Sequence, residues 1–297
     1  MGCFLMVTST RRKICLLLAL FIIITLSFSR ASAAELVVPD RYRSIQEAVE
    51  SANEGDTVVI RGGEYRENIA VNRPLTVRGE STSGAVIITA ATPSEPVITV
   101  KGVAGATIIG ITVTGSGIAG IYIVDSREIK ILNTNAAGNR YGIHLDRSVS
   151  STLDGNSAGE NEYGIYLSRS SDNIVKGNGA DGNSDKGIVL VESHRNSVVE
   201  NSATGNYWDG ISLFAAIGNR IRGNKIWKNT FAIVNNTSDE NDIADNSKMR
   251  RLYFILPVVL VYLGIIIYFV EKRLFYLFLT GPKKKRSKQM GRFGGGG

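Results

Sequence analysis

The chain has 297 residues, with 34 Lys and Arg against 27 Asp and Glu, a formal net charge of +7, two histidines and two cysteines. The positive charge is terminal: residues 1–34 and 250–297 together hold fourteen of the basic residues and one acid, leaving 20 basic and 26 acidic residues between them, a net of about −6. No basic stripe remains to neutralise phosphates, which excludes nucleic acid as a partner, and Cys3 and Cys15 both lie near the N-terminus, which excludes disulfides and thiolate ligands from the body of the chain.

In chain order, Arg11, Arg12 and Lys13 precede the apolar run Ile14 to Phe28, and Ala31-Ser32-Ala33 offers small residues for cleavage. Residues 1–34 therefore read as a signal peptide, and the rest as exported. Ser44 to Ala52 places Ile45, Ala48, Val49 and Ala52 at i, i+3, i+4 and i+7, which predicts an amphipathic helix. Its expected work is to cap the unpaired strand edge of the coil that follows. Short Val/Ile-rich strands are predicted at Thr57–Ile60, Ile69–Val71, Leu75–Val77, Val86–Thr89, Val97–Val100 and Ala106–Thr114.

Beyond these the chain repeats. The strands AGIYI, YGIHL, YGIYL, KGIVL, DGISL and FAIVN set Gly120, Gly142, Gly164, Gly187, Gly210 and Ala232 at spacings of 22, 22, 23, 23 and 22. Two asparagine columns keep the same step: Asn156, Asn178, Asn201, Asn224 and Asn246, and Asn139, Asn161, Asn183, Asn206 and Asn229. A period in the low twenties admits a leucine-rich horseshoe or a β-helix, and Ile/Val strands separated by Gly, Asn, Ser and Asp favour the β-helix. The expected fold is all-β, a right-handed parallel β-helix of about nine coils of 22–23 residues with an N-terminal capping helix. Alternation points Ile121/Ile123, Ile143/Leu145, Ile165/Leu167, Ile188/Leu190 and Ile211/Leu213 inward as aliphatic stacks. Asparagine suits the corners because it tolerates left-handed backbone and its amide can bond the next coil.

The segment SIQEAVESANEGDTVVIRGGEYRENIAVNRPLTVRGE and the later xGIxL and NxVxxN units resemble the NosD-like β-helix proteins, the group also described as carbohydrate-binding and sugar-hydrolysing (CASH) domains. The resemblance covers about Glu35 to Asn246 and implies the parallel β-helix fold. It leaves function open, because this architecture serves lyases, hydrolases, epimerases, adhesins and accessory proteins of copper enzymes. For NosD proteins themselves it implies help in metal loading of a periplasmic reductase.

Leu252 to Val270 is nineteen residues without a charge, about 28 Å of helix, which predicts a membrane span. Lys272, Arg273, Lys283, Lys284, Lys285, Arg286 and Lys288 follow it, so the tail is expected in the cytoplasm and the β-helix outside. The expected domains are thus a signal peptide (1–34), an extracytoplasmic β-helix (35–249), a transmembrane helix (252–270) and a basic cytoplasmic tail (271–297). Residues 247–251 are expected as a linker of at most about 18 Å, holding the stack near the bilayer.

Two clusters carry candidate chemistry. On the outward positions of three adjacent coils, Tyr122, His144, Asp146 and Tyr166 form a patch that supplies His and Tyr as base and acid for a lyase or epimerase acting on uronate polymers. Arg140 and Arg147 flank it without a readable direction, and no outward column shows the facing carboxylates that hydrolysis needs. The plainer alternative is a polar solvent face. Tyr207, Trp208 and Asp209, just before a strand, offer aromatic surface for a sugar ring. Copper would want converging His, Met or Cys donors, whereas His144 and His194 fall two coils apart, so no metal and no cofactor is expected. Asn235 and Asn236 are overlapping glycosylation acceptors. The sequence thus favours a membrane-anchored surface protein that binds polysaccharide or envelope components without turnover. Polysaccharide lyase or epimerase is the second reading, and accessory factor for copper-enzyme maturation the third.

Overall fold

A computed structural model describes residues 33–80, 82, 84–250 and 255–280, the last stretch with side chains placed over 260–273. The expected signal peptide, with both cysteines, and the tail beyond residue 280 lie outside the described residues. The chain divides between Met249 and Arg250 into two units, each described by itself.

In the first unit every coil contributes short strands that pair in parallel with the coils before and after. Among the described residues a ten-stranded sheet runs from Glu35–Val38 to Asp242–Ala244 in strict chain order, one strand per coil, which defines about nine turns. An eight-stranded sheet runs from Ile69–Val71 to Phe231–Asn236, and a four-stranded sheet begins at Gly63–Arg66 and ends at Asn135–Ala136. Single bridges Asn135↔Ser157, Ser157↔Gly179, Gly179↔Ser202 and Ser202↔Lys225 carry the third face on down the stack. The structure is a parallel β-solenoid.

The aliphatic stacks form as the alternation requires. Ile121, Ile143, Ile165, Ile188 and Ile211 are fully buried in register, as are Ile123, Leu145, Leu167, Leu190 and Leu213. Ile131, Leu153, Val175, Val198 and Ile221 line the core from the ten-stranded sheet. Each such side chain contributes about 1.5–3 kcal/mol before entropy is subtracted.

The two asparagine columns are ladders. In the first, the Oδ1 of Asn178, Asn201, Asn224 and Asn246 each accepts the backbone N–H of the asparagine one coil earlier, at 2.8–2.9 Å. The second column does the same from Asn139 through Asn229. Two further ladders escaped the sequence reading: Asn173, Asn196, Asn219 and Asn241, and the serines Ser126, Ser148, Ser170 and Ser193. Ladder residues commonly follow a corner residue of positive φ, such as Glu160 before Asn161, Asp172 before Asn173 and Arg147 before Ser148. The left-handed corner turns the chain at a cost of about 1–2 kcal/mol for a non-glycine residue, and the ladder bond offsets it.

Helix α1, Ile45–Ser51, caps the first coils both chemically and sterically. Ser44 Oγ accepts from Glu47 N, and the Glu67 carboxylate accepts from Ile45 N and Gln46 N. Ile45, Ala48 and Val49 bury against the strands, while Gln46 Oε1 accepts from Ala70 N, a donor on the edge strand of the eight-stranded sheet.

Several boundaries differ from expectation. Ala106–Thr114 is two strands, Thr107–Ile109 and Thr112–Thr114, because Gly110 takes φ +69 and turns a corner between them. Glu35–Val38 and Gly63–Arg66 are strands that their mixed composition concealed. Ser247–Arg250, expected as linker, is instead a strand paired with Lys225–Asn229, with Ser247 N donating to Asn224 O, so it belongs to the last coil.

The second unit holds helix α2, Ile255–Thr280. Among the described residues no helix is long and apolar enough to cross a membrane. The expected span Leu252–Val270 begins outside the described residues.

Candidate functional site

The outer face of the eight-stranded sheet carries both predicted clusters. Tyr122, His144 and Tyr166 stand in register on the strands Ala119–Val124, Tyr141–Asp146 and Tyr163–Ser168. Tyr141 and Tyr163, which sequence reasoning missed, join them. The His144 ring lies 5.0 Å from Tyr122, 4.9 Å from Tyr141 and 5.2 Å from Tyr166, and Tyr141 stacks on Tyr163 at 5.1 Å. Strict alternation would point Tyr141 inward with Ile143. The column glycine breaks that phase: a Cβ on Gly142 would lie 2.7 Å from both Asn161 Nδ2 and Gly164 O, so the interior admits only glycine there and the preceding tyrosine turns out.

Electrostatically, the patch is closed on itself. Asp146, expected as an outward catalytic candidate, is 5% exposed. Its Oδ2 meets Arg147 Nη1 at 2.5 Å and Tyr122 Oη at 3.4 Å, and its Oδ1 meets Arg169 Nη2 at 2.8 Å and Ser168 Oγ at 3.0 Å. A carboxylate held by two guanidiniums serves as their anchor, with both of its oxygens occupied. Arg147 also grips Asp125 at 2.6 Å, and Arg140 pairs with Glu162 at 3.2 Å, which supplies the directions that the sequence left open.

His144 Nε2 lies 3.1 Å from Ser168 Oγ. Burial among the tyrosines pushes its pKa down to about 4, against the opposing pull of Asp146, so the imidazole is neutral at pH 7 and a weak base. Burial also raises the phenols of Tyr122, Tyr163 and Tyr166, the first aided by Asp146 and the second by its bond to Asp185. The face presents protonated phenols and a neutral ring.

The His144 shift has a stability consequence. The unfolded chain takes up a proton near pH 6.5 that the folded chain refuses until about pH 4, so stability falls as pH drops through that window. Between pH 7 and 4.5 the loss attributable to His144 is about 2–3 kcal/mol. Denaturant titrations should show His144→Gln losing that much less than wild type over the same interval; equal losses would refute the burial argument.

Further down the same face, Asp185, Lys186, Trp208, Asp209, Phe231 and Val234 line an open depression of about 480 Å³. Tyr207 and Trp208 meet edge to face at 5.2 Å and are 48% and 45% exposed, and Asp209 begins the strand Asp209–Phe214. Lys186 Nζ sits 2.8 Å from Asp185, 4.0 Å from Asp209 and 5.7 Å from the Tyr163 ring, which links the depression to the aromatic patch. Burial raises the Asp209 pKa, with Lys186 opposing. The corner behind Tyr207 contains Asn206 Nδ2, a buried side-chain donor without a partner among the described residues.

A family model described as periplasmic copper-binding protein (NosD) matches residues 77–248. The chain belongs to the NosD family. A cell surface glycoprotein of Methanothermus fervidus is 37% identical over 95 residues, which is 30% of this chain and 15% of that protein. The NosD-family solenoid superposes on the crystal structure of pectate lyase Pel9A with a TM-score of 0.58 at 15% identity, covering 75% of this chain and 78% of that one. On the Dettilon tailspike protein gp208 the TM-score is 0.52 at 13% identity, covering 69% and 57%. At such identities these two likenesses concern the fold alone.

The family's copper can be tested against the donors. His144 is wedged among rings with Nε2 on Ser168, while His194, two coils away, accepts the Ile217 N–H through Nδ1 at 3.2 Å. Among the described residues no three His, Cys, Asp or Glu side chains converge. The described residues do not fit a copper centre.

Proposed function

We propose that this NosD-family protein is an extracytoplasmic, membrane-tethered β-helix that binds glycan chains along the outer face of its eight-stranded sheet. The observation that carries the reading is the run of rings on that face, from Tyr122 through His144, Tyr141, Tyr163 and Tyr166 to Trp208 and Phe231. The rings stand on five of six consecutive coils, with Lys186 in the coil between Tyr163 and Trp208, over about 24 Å at the spacing of paired strands. Aromatic surface of this extent suits the C–H faces of successive sugar rings, and the hydroxyls meet Asp185, Lys186 and Ser168. The signal segment, the glycoprotein relative and the periplasmic family support export. The uncharged run Leu252–Val270 with its basic flank supports a tether. Binding is favoured over lyase or epimerase chemistry because His144 is a weak base and Asp146 is held by arginines.

The test is a glycan array probed with the full chain in detergent micelles. Retention should fall at least tenfold in Trp208→Ala and in Tyr163→Ala, whose rings bracket Lys186. Unchanged retention in both variants would refute the assignment of this face, and unsaturated product released from uronate polymers would instead establish the lyase reading.

A further inference from the structure

We infer that the aromatic face selects uncharged sugar chains and rejects polyuronates. The inference rests on the glycan-binding reading above and names the ligand class of that same site.

Every cation set among the aromatics already holds a carboxylate of this chain. Arg140 pairs with Glu162, Arg147 with Asp125 and Asp146, Arg169 with Asp146, and Lys186 with Asp185 and Asp209. These four cations meet five carboxylates, while Lys101, two strands upstream of His144, acts on Asp125 from the same side. Burial keeps the histidine neutral and the phenols protonated, so neither adds positive charge at neutral pH.

A uronate polymer brings one negative charge per sugar. To bind here it must either displace the exposed Glu162 from Arg140, trading one solvent-screened pair for another, or draw Arg169 or Lys186 away from Asp146 or Asp209, both about 5% exposed, and so take a cation from a buried carboxylate. Breaking such a pair costs more than a new, solvent-screened pair returns. An uncharged hexose or N-acetylhexosamine chain makes no such demand. It stacks on Tyr141, Tyr163 and Trp208 and exchanges hydroxyl hydrogen bonds with groups whose charges stay paired.

The experiment measures retention of the full chain in detergent micelles on immobilised mannan, amylose and N-acetylglucosamine oligomers, and on polygalacturonate and alginate, at about 0.15 M salt. At least one uncharged glycan should be retained at least tenfold more strongly than either polyuronate. The double variant Glu162→Gln/Asp125→Asn removes two exposed carboxylates and releases Arg140 while leaving the buried ones in place. It should narrow that gap at least threefold with an unchanged melting temperature. Polyuronate retention by wild type equal to that of the uncharged glycans would overturn the inference and leave glycan binding standing. A double variant with no gain on polyuronates would overturn the charge-pairing basis. Failure to retain any glycan of either class would remove the binding reading itself.

Discussion

Gly164→Ala should lower the unfolding free energy by about 3 kcal/mol, the upper end of what overpacking costs, although it adds a single methyl group. The added Cβ would lie 2.7 Å from Ala158 O, 2.7 Å from Gly187 O and 2.8 Å from Asn183 Nδ2. Two of these are backbone atoms fixed by parallel pairing, and the third belongs to an asparagine ladder, so no flexible end can yield. The column supplies its own internal comparison. Gly120, Gly142, Gly187 and Gly210 are equally tight, each against the carbonyl of the coil that follows, whereas the last member, on the terminal strand of the sheet, is Ala232. Gly182→Ala is the control, since that position has nothing within 4 Å and a φ of +68, and should cost only the left-handed penalty of about 1–2 kcal/mol. Denaturant midpoints measure both. A loss at Gly164 no larger than at Gly182 would contradict the packing account.

Asn201→Ala should be costlier still, about 3–5 kcal/mol. Asn201 is 2% exposed, and its amide makes four bonds: Oδ1 accepts from Asn178 N at 2.8 Å and Asn178 Nδ2 at 3.0 Å, while Nδ2 donates to Val175 O at 2.9 Å and Asn224 Oδ1 at 3.0 Å. Alanine leaves Asn178 N without its acceptor inside a dry wall and takes one bond each from Val175 O, from Asn178 Nδ2, which keeps Leu153 O, and from Asn224 Oδ1, which keeps the backbone N–H of residue 201; each bond lost there costs about 1 kcal/mol, and more where the group is orphaned. In a solenoid each coil leans only on its neighbours, so the damage should localise. Hydrogen exchange should quicken at Asn178, Val198 and Asn224, with the strands near α1 unchanged. At the end of the ladder, Asn246→Ala removes fewer buried partners and should cost about 1 kcal/mol.

The solenoid was legible because its period is written in residues with one physical job each. Gly142 and its column mark where no Cβ fits, the isoleucine pairs mark the core, and Asn156 and Asn139 head the ladders. The ladder Asn173, Asn196, Asn219 and Asn241 kept the same step and was there to be read, while the serine ladder is blurred by Ala216 standing in the column. The first coils were harder, since they stack with offsets that change from coil to coil: Thr57 pairs with Thr76, but Thr76 with Thr107.

The site was half legible. Tyr122, His144 and Tyr166 follow from alternation, and Tyr207 and Trp208 from composition. Tyr141 and Tyr163 could not follow, because the glycine after each reverses the phase of the strand. Asp146 occupies an outward position in the alternation, yet Arg147 and Arg169 fold over it, and the reach of a long side chain is invisible to a two-residue period. Lys186 reads as an ordinary surface lysine until Asp185, Asp209 and Tyr163 are seen around it.

Hydroxyl-radical footprinting with an uncharged glycan bound tests the central claim most directly, because aromatic side chains are its reporters. At saturation Tyr141, Tyr163, Tyr207 and Trp208 should lose reactivity together. Trp227, on the strand Lys225–Asn229 outside the eight-stranded sheet, should keep its own and so serve as the internal reference. Protection of Trp227 or of the ten-stranded sheet with Tyr163 and Trp208 unchanged would contradict the assignment of the glycan to this face.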